Sequence, residues 1–211
     1  SYWLLNSYAP KWMNLLLLIG SYIFYGYWDL RFLFLIAVSS LSDFLLAKLI
    51  FKTTSAHKKK GMLLISLIIN LGILACFKYY NFFITSLNDI TGLENMNLYL
   101  LNVVLPVGIS FYTFQTLSYT IDVYKDKIRP ERDIVIFLAY VSFFPQLVAG
   151  PIERASRMLP QFTFPKVRNS DDFRKGLDLI LWGLFSKIVI ADGAGIIVDD
   201  VFSDVENNGF L

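Results

Sequence analysis

Long apolar stretches separated by short polar ones dominate the pattern along this chain. Six stretches reach or approach the roughly 20 apolar residues that an α-helix needs to cross a bilayer. They lie at about residues 12–28, 32–51, 62–87, 105–124, 134–150 and 176–198. None shows the strict alternation of a half-buried strand. The pattern therefore predicts an all-α fold, a polytopic bundle of transmembrane helices that forms a single membrane domain over residues 1–211.

Basic residues cluster between the apolar stretches and predict how they are oriented. Of the 19 Lys and Arg residues, 14 fall within residues 52–60, 125–132 and 154–175. Residues 88–104 and the tail after Val198 carry acidic residues and no basic ones. Because Lys and Arg concentrate in cytoplasmic loops, we expect the three basic segments inside the cell and the acidic ones outside.

A helix that crosses the membrane has its two flanking loops on opposite sides. The stretch at 134–150 conflicts with this rule, because both of its flanks are basic and are therefore expected in the cytoplasm. Pro145 lacks an N–H group and its ring clashes with the carbonyl of Val141, while Gly150 and Pro151 add a second break. Backbone groups freed at membrane depth must be satisfied by protein or by a water-filled cavity. We expect a re-entrant segment that returns to the cytoplasmic side; the alternative is a proline-kinked span followed by a basic outer loop.

The overall composition supports a membrane protein and argues against a nucleic-acid partner. Hydrophobic residues make up 55% of the chain and charged residues 17%, against about 25% charged residues in ordinary soluble domains. The net charge is only +2, which provides no electrostatic basis for nucleic-acid binding. The lipid bilayer is the partner that the composition predicts.

The stretch at 105–124 carries a polar stripe along one helical face. Tyr112, Gln115, Tyr119 and Asp122 follow one another at spacings of three, four and three residues. A helix this polar is unfavourable in contact with lipid, so we expect it to be central and covered by other helices. The stripe could line a substrate path, or it could form interhelical hydrogen bonds, which contribute about 0.6 kcal/mol per pair in membranes.

Asp43 is an acidic residue in the middle of the second apolar stretch. A charge at the centre of a spanning helix costs about 2.5–3.5 kcal/mol on insertion scales. Ser39 and Ser40 precede Asp43 by four and three residues, so they share its face. We expect this face to point into the bundle, where Asp43 serves either a polar pathway or a structural hydrogen-bond network.

Several motifs resemble those of one known family. They are residues 25–31 (YGYWDLR), 105–115 (LPVGISFYTFQ), 118–124 (SYTIDVY), 143–154 (FFPQLVAGPIER) and, more loosely, 183–192 (GLFSKIVIAD). In order and register they resemble the membrane-bound O-acyltransferase family, in its alginate O-acetyltransferase branch. The resemblance covers most of the chain, and it implies a ring of membrane helices around a thinned centre.

The resemblance also implies an activity, a cellular location, an acyl donor and partners. Such an enzyme is a multi-pass protein of the bacterial inner (cytoplasmic) membrane. It transfers an acyl group, usually acetyl, to hydroxyls of an exported envelope polysaccharide such as alginate. The acyl donor is expected to be acetyl-CoA or a carrier-bound acyl group, with no bound cofactor. Partner proteins of an envelope acetylation system are expected, together with the polysaccharide acceptor.

No catalytic residue is assigned within the chain. The family's key residue is a histidine in the membrane core, whereas the one histidine here, His57, lies in a basic segment between two apolar stretches. We expect His57 to be solvated and the family histidine to lie beyond Leu211. On this interpretation the chain is an N-terminal and central fragment that is inactive by itself. No metal-ligand spacing is present.

A candidate path for the acyl donor follows from the broken backbone at 145–154. Gln146 and Pro151 lie at the breaks, and Glu153 and Arg154 lie at the predicted cytoplasmic mouth, where the Arg154 guanidinium could meet donor phosphates. The alternative is a local arrangement of Glu153 and Arg154 that only shapes the loop. Two other functions stay open from the residues: a polytopic transporter or channel, because broken helices also build permeation paths, and a non-catalytic membrane scaffold.

Overall fold

Helices account for all the regular structure that is described. The computed structural model describes residues 10–27, 29–91, 106, 108–147, 150–151, 153–163 and 169–203. Over these ranges every regular element is helical, which confirms the all-α prediction. The acidic segment at 88–104 and the tail after Val198 lie partly outside the described residues. The chain divides into two compact units, Ser1–Pro165 and Lys166–Leu211, so the single membrane domain stays a prediction.

The first unit contains eight helices within its described residues. They are α1 Pro10–Gly26, α2 Leu30–Lys52, α3 Ala56–Leu74, α4 Tyr80–Thr91, α5 Ile109–Tyr124, α6 Ile134–Val141, α7 Phe144–Leu147 and α8 Ala155–Thr163. A π-helical stretch, Ala75–Tyr79, joins α3 to α4 without a break. The predicted stretch at 134–150 thus contains two short helices. Its re-entrant course stays a prediction.

Two of the helix starts have a clear local cause. Asp29 precedes α2, and its carboxylate accepts a hydrogen bond from the Arg31 N–H at 2.8 Å, which caps the helix. Asp133 does the same for α6 by accepting from Val135 N–H. The helix expected at 62–87 begins earlier, at Ala56, because the lysines that follow favour helix and no Gly or Pro interrupts the first turn.

Three helical stretches are long and apolar enough to cross a membrane. They are Leu30–Lys52, Ala56–Thr91 and Ser170–Phe202, and shorter apolar helices cover Trp12–Gly26 and Ile134–Leu147. Large hydrophobic side chains such as Phe34 and Ile68 are more than half exposed. Soluble proteins rarely expose so much contiguous apolar surface, whereas a lipid-facing surface has this composition. The first unit is therefore a membrane helical bundle.

The core of the first unit lies where α2, α3 and α5 pack against one another, and α6 packs against α1, α2 and α5. Phe137 of α6 is fully buried, and its ring centroid lies 4.6 Å from that of Tyr119 and 5.5 Å from that of Phe44. Tilted aromatic pairs at these distances stabilise a core beyond simple burial. This cluster connects α2, α5 and α6 and holds α5 in the centre.

The second unit is one continuous helix over its described residues. It comprises α9 Ser170–Phe185, a π-helical stretch Ser186–Ala191 and α10 Asp192–Ser203. Asn169 caps its start by accepting from Asp171 N–H at 3.1 Å. Lys187 and Asp192, two of the charges that interrupt the apolar stretch at 176–198, pair with each other at 2.7 Å. This pairing lowers the cost of placing both charges in an apolar helix.

Candidate functional site

Helix α5 is largely buried and so occupies the centre of its unit. Nine of its sixteen residues are buried. They include Tyr112, Gln115 and Tyr119 of the predicted stripe, as well as Thr113 and Thr116 beside it. This confirms the central position that its polar sequence predicted. The fourth stripe residue lies nearer the surface, at the C-terminal end of the helix.

The polar stripe of α5 faces α6 and the loop that precedes it. Gln115 Nε2 donates to the carbonyl oxygen of Tyr140 at 3.1 Å. The Tyr119 hydroxyl accepts from Glu131 N–H at 3.0 Å, whereas the buried Tyr112 hydroxyl has no partner among the described residues. Asp122 lies 3.8 Å from Lys127 Nζ, with 16% of its side chain exposed. Gln115 and Tyr119 thus stabilise packing, and the stripe's role as a substrate path stays a prediction.

A second polar cluster lies on a neighbouring face of α5, between α2 and α3. Asp43 is fully buried, and its carboxylate accepts from the Ser66 hydroxyl at 2.5 Å and from Asn70 Nδ2 at 2.9 Å. Asn70 Oδ1 accepts in turn from Ser39 at 2.6 Å and from Thr116 of α5 at 3.3 Å. The acidic residue predicted to face into the bundle does so, as part of a hydrogen-bonded network that connects three helices.

The partners of Asp43 are what sequence reasoning missed. Ser66 and Asn70 are four residues apart on α3 and therefore share a face. That spacing, inside an otherwise apolar stretch, was a signal for a polar contact at the same depth as Asp43. It identifies no partner by itself, because any inward-facing polar residue on a neighbouring helix would fit the pattern equally well.

The described residues of the motif at 143–154 are held together by hydrogen bonds around Gln146. Gln146 Nε2 donates to the carbonyl oxygen of Pro151 at 2.7 Å, and Gly150 N–H donates to the carbonyl oxygen of Gln146 at 2.9 Å. A Cβ at Gly150 would lie 2.8 Å from Gln146 Cα, so only glycine fits there. The helix break expected at Pro145 falls just before it, at Ser142 and Phe143, because a proline fits the first turn of a new helix. The buried Gln146 side chain connects this helix, α7, to Pro151. Its Oε1 atom is buried without a partner in the described part of the chain.

The same segment is held against two other helices. Phe144 N–H lies 3.4 Å from the Ser21 hydroxyl of α1. Gly108 begins α5 with a φ of 74°, and a Cβ there would lie 2.7 Å from the carbonyl oxygen of Leu147. The motif at 105–115 and the motif at 143–154 therefore meet backbone to backbone at this point, where only glycine permits such a close approach.

Glu153 and Arg154 lie just beyond Pro151, at the start of α8. Arg154 is exposed and Glu153 is half-buried. The carbonyl of Arg154 accepts from the N–H groups of Arg157 and Met158, which begins the helix. Neither side chain forms an ion pair within the described ranges. The Arg154 guanidinium is thus open to a ligand, and its role in a donor path stays a prediction.

His57 lies in the first turn of α3, where its side chain is exposed. Sequence reasoning placed it in a solvated segment; it is solvated, but the segment is helical. Across the part of the chain that is described, no group of three or more His, Cys, Asp or Glu side chains is arranged to hold a metal ion. The site is therefore defined by α5, its two polar faces and the segment around Gln146.

Comparison with known proteins finds relatives along most of the chain. The probable alginate O-acetylase AlgI of Pseudomonas aeruginosa is 35% identical over 92% of this chain. The corresponding protein of Pseudomonas putida is 36% identical over 92%. The peptidoglycan O-acetyltransferase of Helicobacter pylori is 33% identical over the whole chain. These matches cover 38%, 40% and 45% of the relatives, so the chain spans about two fifths of their length. No family model and no solved structure matches it.

Proposed function

The chain belongs to the membrane-bound O-acyltransferase family, in its alginate O-acetylase branch, and on that premise we propose that the protein acetylates hydroxyls of an envelope polysaccharide. The observation that carries the proposal is identity of 33–36% to three proteins named as O-acetylating enzymes. Their named acceptors, alginate and peptidoglycan, are both carbohydrate polymers with free hydroxyl groups. An exported polysaccharide is therefore the proposed acceptor class.

The proposed location is the bacterial inner membrane, which the protein crosses several times. Three helical stretches of sufficient length and apolar character support repeated crossing. Lys58 and Lys60 at the start of α3, together with Arg129 and Arg132 between α5 and α6, support a common cytoplasmic side for these two regions. The donor is then taken from the cytoplasm and the acceptor from the opposite side. Partner proteins of an envelope acetylation system complete the transfer.

The proposed donor is acetyl-CoA or a carrier-bound acetyl group that enters beside the segment around Gln146. Arg154 presents an exposed guanidinium at this point, and a guanidinium binds phosphate with two parallel hydrogen bonds. Glu153 lies next to it, and Pro151 marks the adjacent break in the backbone. The buried Gln146 Oε1 has no partner in the described residues and would accept a hydrogen bond from the amide-rich arm of such a donor.

The acetylation activity is tested by deleting the gene for the full-length protein and complementing it. Ester-linked acetate is released from the envelope polysaccharides by mild base and measured by ion chromatography. We expect the deletion to lose acetate and the wild-type gene to restore it. Unchanged acetate after deletion refutes the proposed activity.

The donor path is tested separately with Arg154→Ala in the full-length protein. Arg157→Ala is the matched control, because Arg157 is also exposed and lies one turn further along α8. Loss of a charge-assisted bond of about 1.5–3 kcal/mol raises the apparent KM for the donor about tenfold or more. The control should leave the KM unchanged. Equal KM values for the two variants, at equal protein abundance, exclude Arg154 from the donor path.

A further inference from the structure

A cavity of about 370 Å³ lies at the C-terminal end of α2, against the loop between α5 and α6. Both regions belong to the basic segments predicted to face the cytoplasm. Four cationic side chains and two apolar ones line it: Lys48, Phe51, Lys52, Arg129, Pro130 and Arg132. We call this cavity the basic pocket. Among the described residues, no acidic side chain lines it.

The carboxylates of Glu131 and Asp126 lie near the pocket in sequence, but neither pairs with a cation that lines it. Glu131 Oε1 accepts from the N–H groups of Arg132 and Asp133, at 2.7 and 3.0 Å. Asp126 pairs with Lys59 of α3 at 3.6 Å. Over the described ranges, none of the four lining cations has a carboxylate within salt-bridge distance.

One of the four cations, Lys48, is also held in place. Lys48 Nζ donates to the carbonyl oxygen of Arg132 at 3.2 Å and lies 3.8 Å from the ring centroid of Phe44. These contacts fix one ammonium group between α2 and the loop. Asp126, at a left-handed φ of 55°, lies two residues after the end of α5, and its ion pair with Lys59 connects the same loop to α3. The pocket is thus lined by α2 and the loop, and the loop is in turn connected to α3.

We propose that the basic pocket binds the phosphate of an anionic ligand at the membrane surface. Two arginines supply planar forks that match phosphate oxygens, and two lysines supply point charges. Like charges confined in one cavity repel one another, and a bound phosphate relieves that repulsion. Phe51 is 47% exposed at the end of an apolar helix, so it offers an apolar wall beside the charges.

Two kinds of ligand could bring a phosphate group to the basic pocket. One is the headgroup of an anionic phospholipid, since Lys52 ends a helix long enough to span the bilayer. The other is a soluble nucleotide such as coenzyme A, whose phosphates would enter from the cytoplasm. The proposal does not depend on acyl transfer, because the pocket is lined by none of the residues of the proposed donor path.

The test uses the full-length protein, purified in a neutral detergent. Native mass spectrometry measures retention of phosphatidylglycerol against phosphatidylcholine, and calorimetric titration measures binding of coenzyme A. The pocket variant is Lys52→Gln with Arg132→Gln. The control variant is Lys58→Gln with Lys60→Gln, which removes the same charge from exposed lysines of α3 that do not line the pocket.

We expect the pocket variant to bind at least one probe about tenfold more weakly than the control variant, which should bind as the wild type does. Selective loss of phosphatidylglycerol identifies a lipid source, and selective loss of coenzyme A identifies a nucleotide. Thermal unfolding verifies that the variants are folded, and the single Lys52→Gln replaces the double variant if it is not. Absence of binding by the wild type, or equal binding by pocket and control variants, overturns the proposal.

Discussion

Replacing Asn70 by leucine tests whether the polar cluster between α2, α3 and α5 stabilises the bundle. Asn70 uses its full hydrogen-bonding capacity. Its Nδ2 donates to Asp43 Oδ2 at 2.9 Å and to the carbonyl oxygen of Ser66 at 3.0 Å. Its Oδ1 accepts from Ser39 at 2.6 Å and from Thr116 at 3.3 Å. One side chain therefore connects three helices.

The magnitude of the effect follows from these bonds. Leucine has the same number and branching of side-chain heavy atoms as asparagine, so the replacement keeps the shape of the side chain and removes its hydrogen bonds. The carboxylate of Asp43 loses a donor, which costs about 1.5–3 kcal/mol for a bond to a charged group. The hydroxyl of Ser39 loses its acceptor, at about 0.6 kcal/mol in a membrane protein, whereas the hydroxyl of Thr116 keeps the carbonyl oxygen of Thr113 at 3.1 Å. Asn70→Leu should therefore lower the free energy of unfolding by about 2–4 kcal/mol.

Reversible unfolding in mixed micelles, with SDS as denaturant and helicity followed by circular dichroism, measures this loss. Ser118→Ala is the control, because the Ser118 hydroxyl donates at 2.9 Å to a carbonyl of its own helix, that of Gln115. We expect the control to change the free energy of unfolding by about 0.5 kcal/mol or less. If Asn70→Leu behaves like the control, the cluster does not stabilise the bundle and the reasoning is refuted.

Two further predictions concern a helix start and a helix cap. Gly108→Ala should lower the free energy of unfolding by about 2 kcal/mol or more in the same assay, because the new Cβ would sit on a left-handed backbone and contact the Leu147 carbonyl. Gly72→Ala is the control, because a Cβ at Gly72 has no neighbouring atom within 4 Å, and it should not lower the free energy of unfolding. Equal effects of the two variants would contradict the argument. Hydrogen bonds from the Arg31 side chain lower the pKa of Asp29 below its ordinary 3.8. The cap of α2 is thus fully present above that pH and is lost as pH falls through the lower folded value. A carboxyl NMR titration with a midpoint at or above 3.8 would contradict this.

Local information in the sequence accounts for much of the architecture. Long apolar stretches predict membrane helices because hydrocarbon requires every backbone hydrogen bond to be made within the segment. The polar stripe of Tyr112, Gln115 and Tyr119 predicts a central helix, since such a face is costly against lipid. For the same reason, Asp43 and Ser39 predict an inward-facing side of α2. Each inference depends on residue spacing within one helix, which needs no knowledge of the neighbours.

Only the tertiary structure decided which polar groups meet. Asp43 pairs with Asn70 across 27 positions of sequence, and Lys48 meets Arg132 across 84. A buried polar group must find a partner, but many inward-facing groups satisfy that demand, and helix packing selects among them. The contact of Gly108 with Leu147 likewise depends on how two distant segments approach each other. Hydrophobicity and the helical periodicity of polar residues therefore determined which helix faces are buried. The packing of separate helices determined which residues each face contacts.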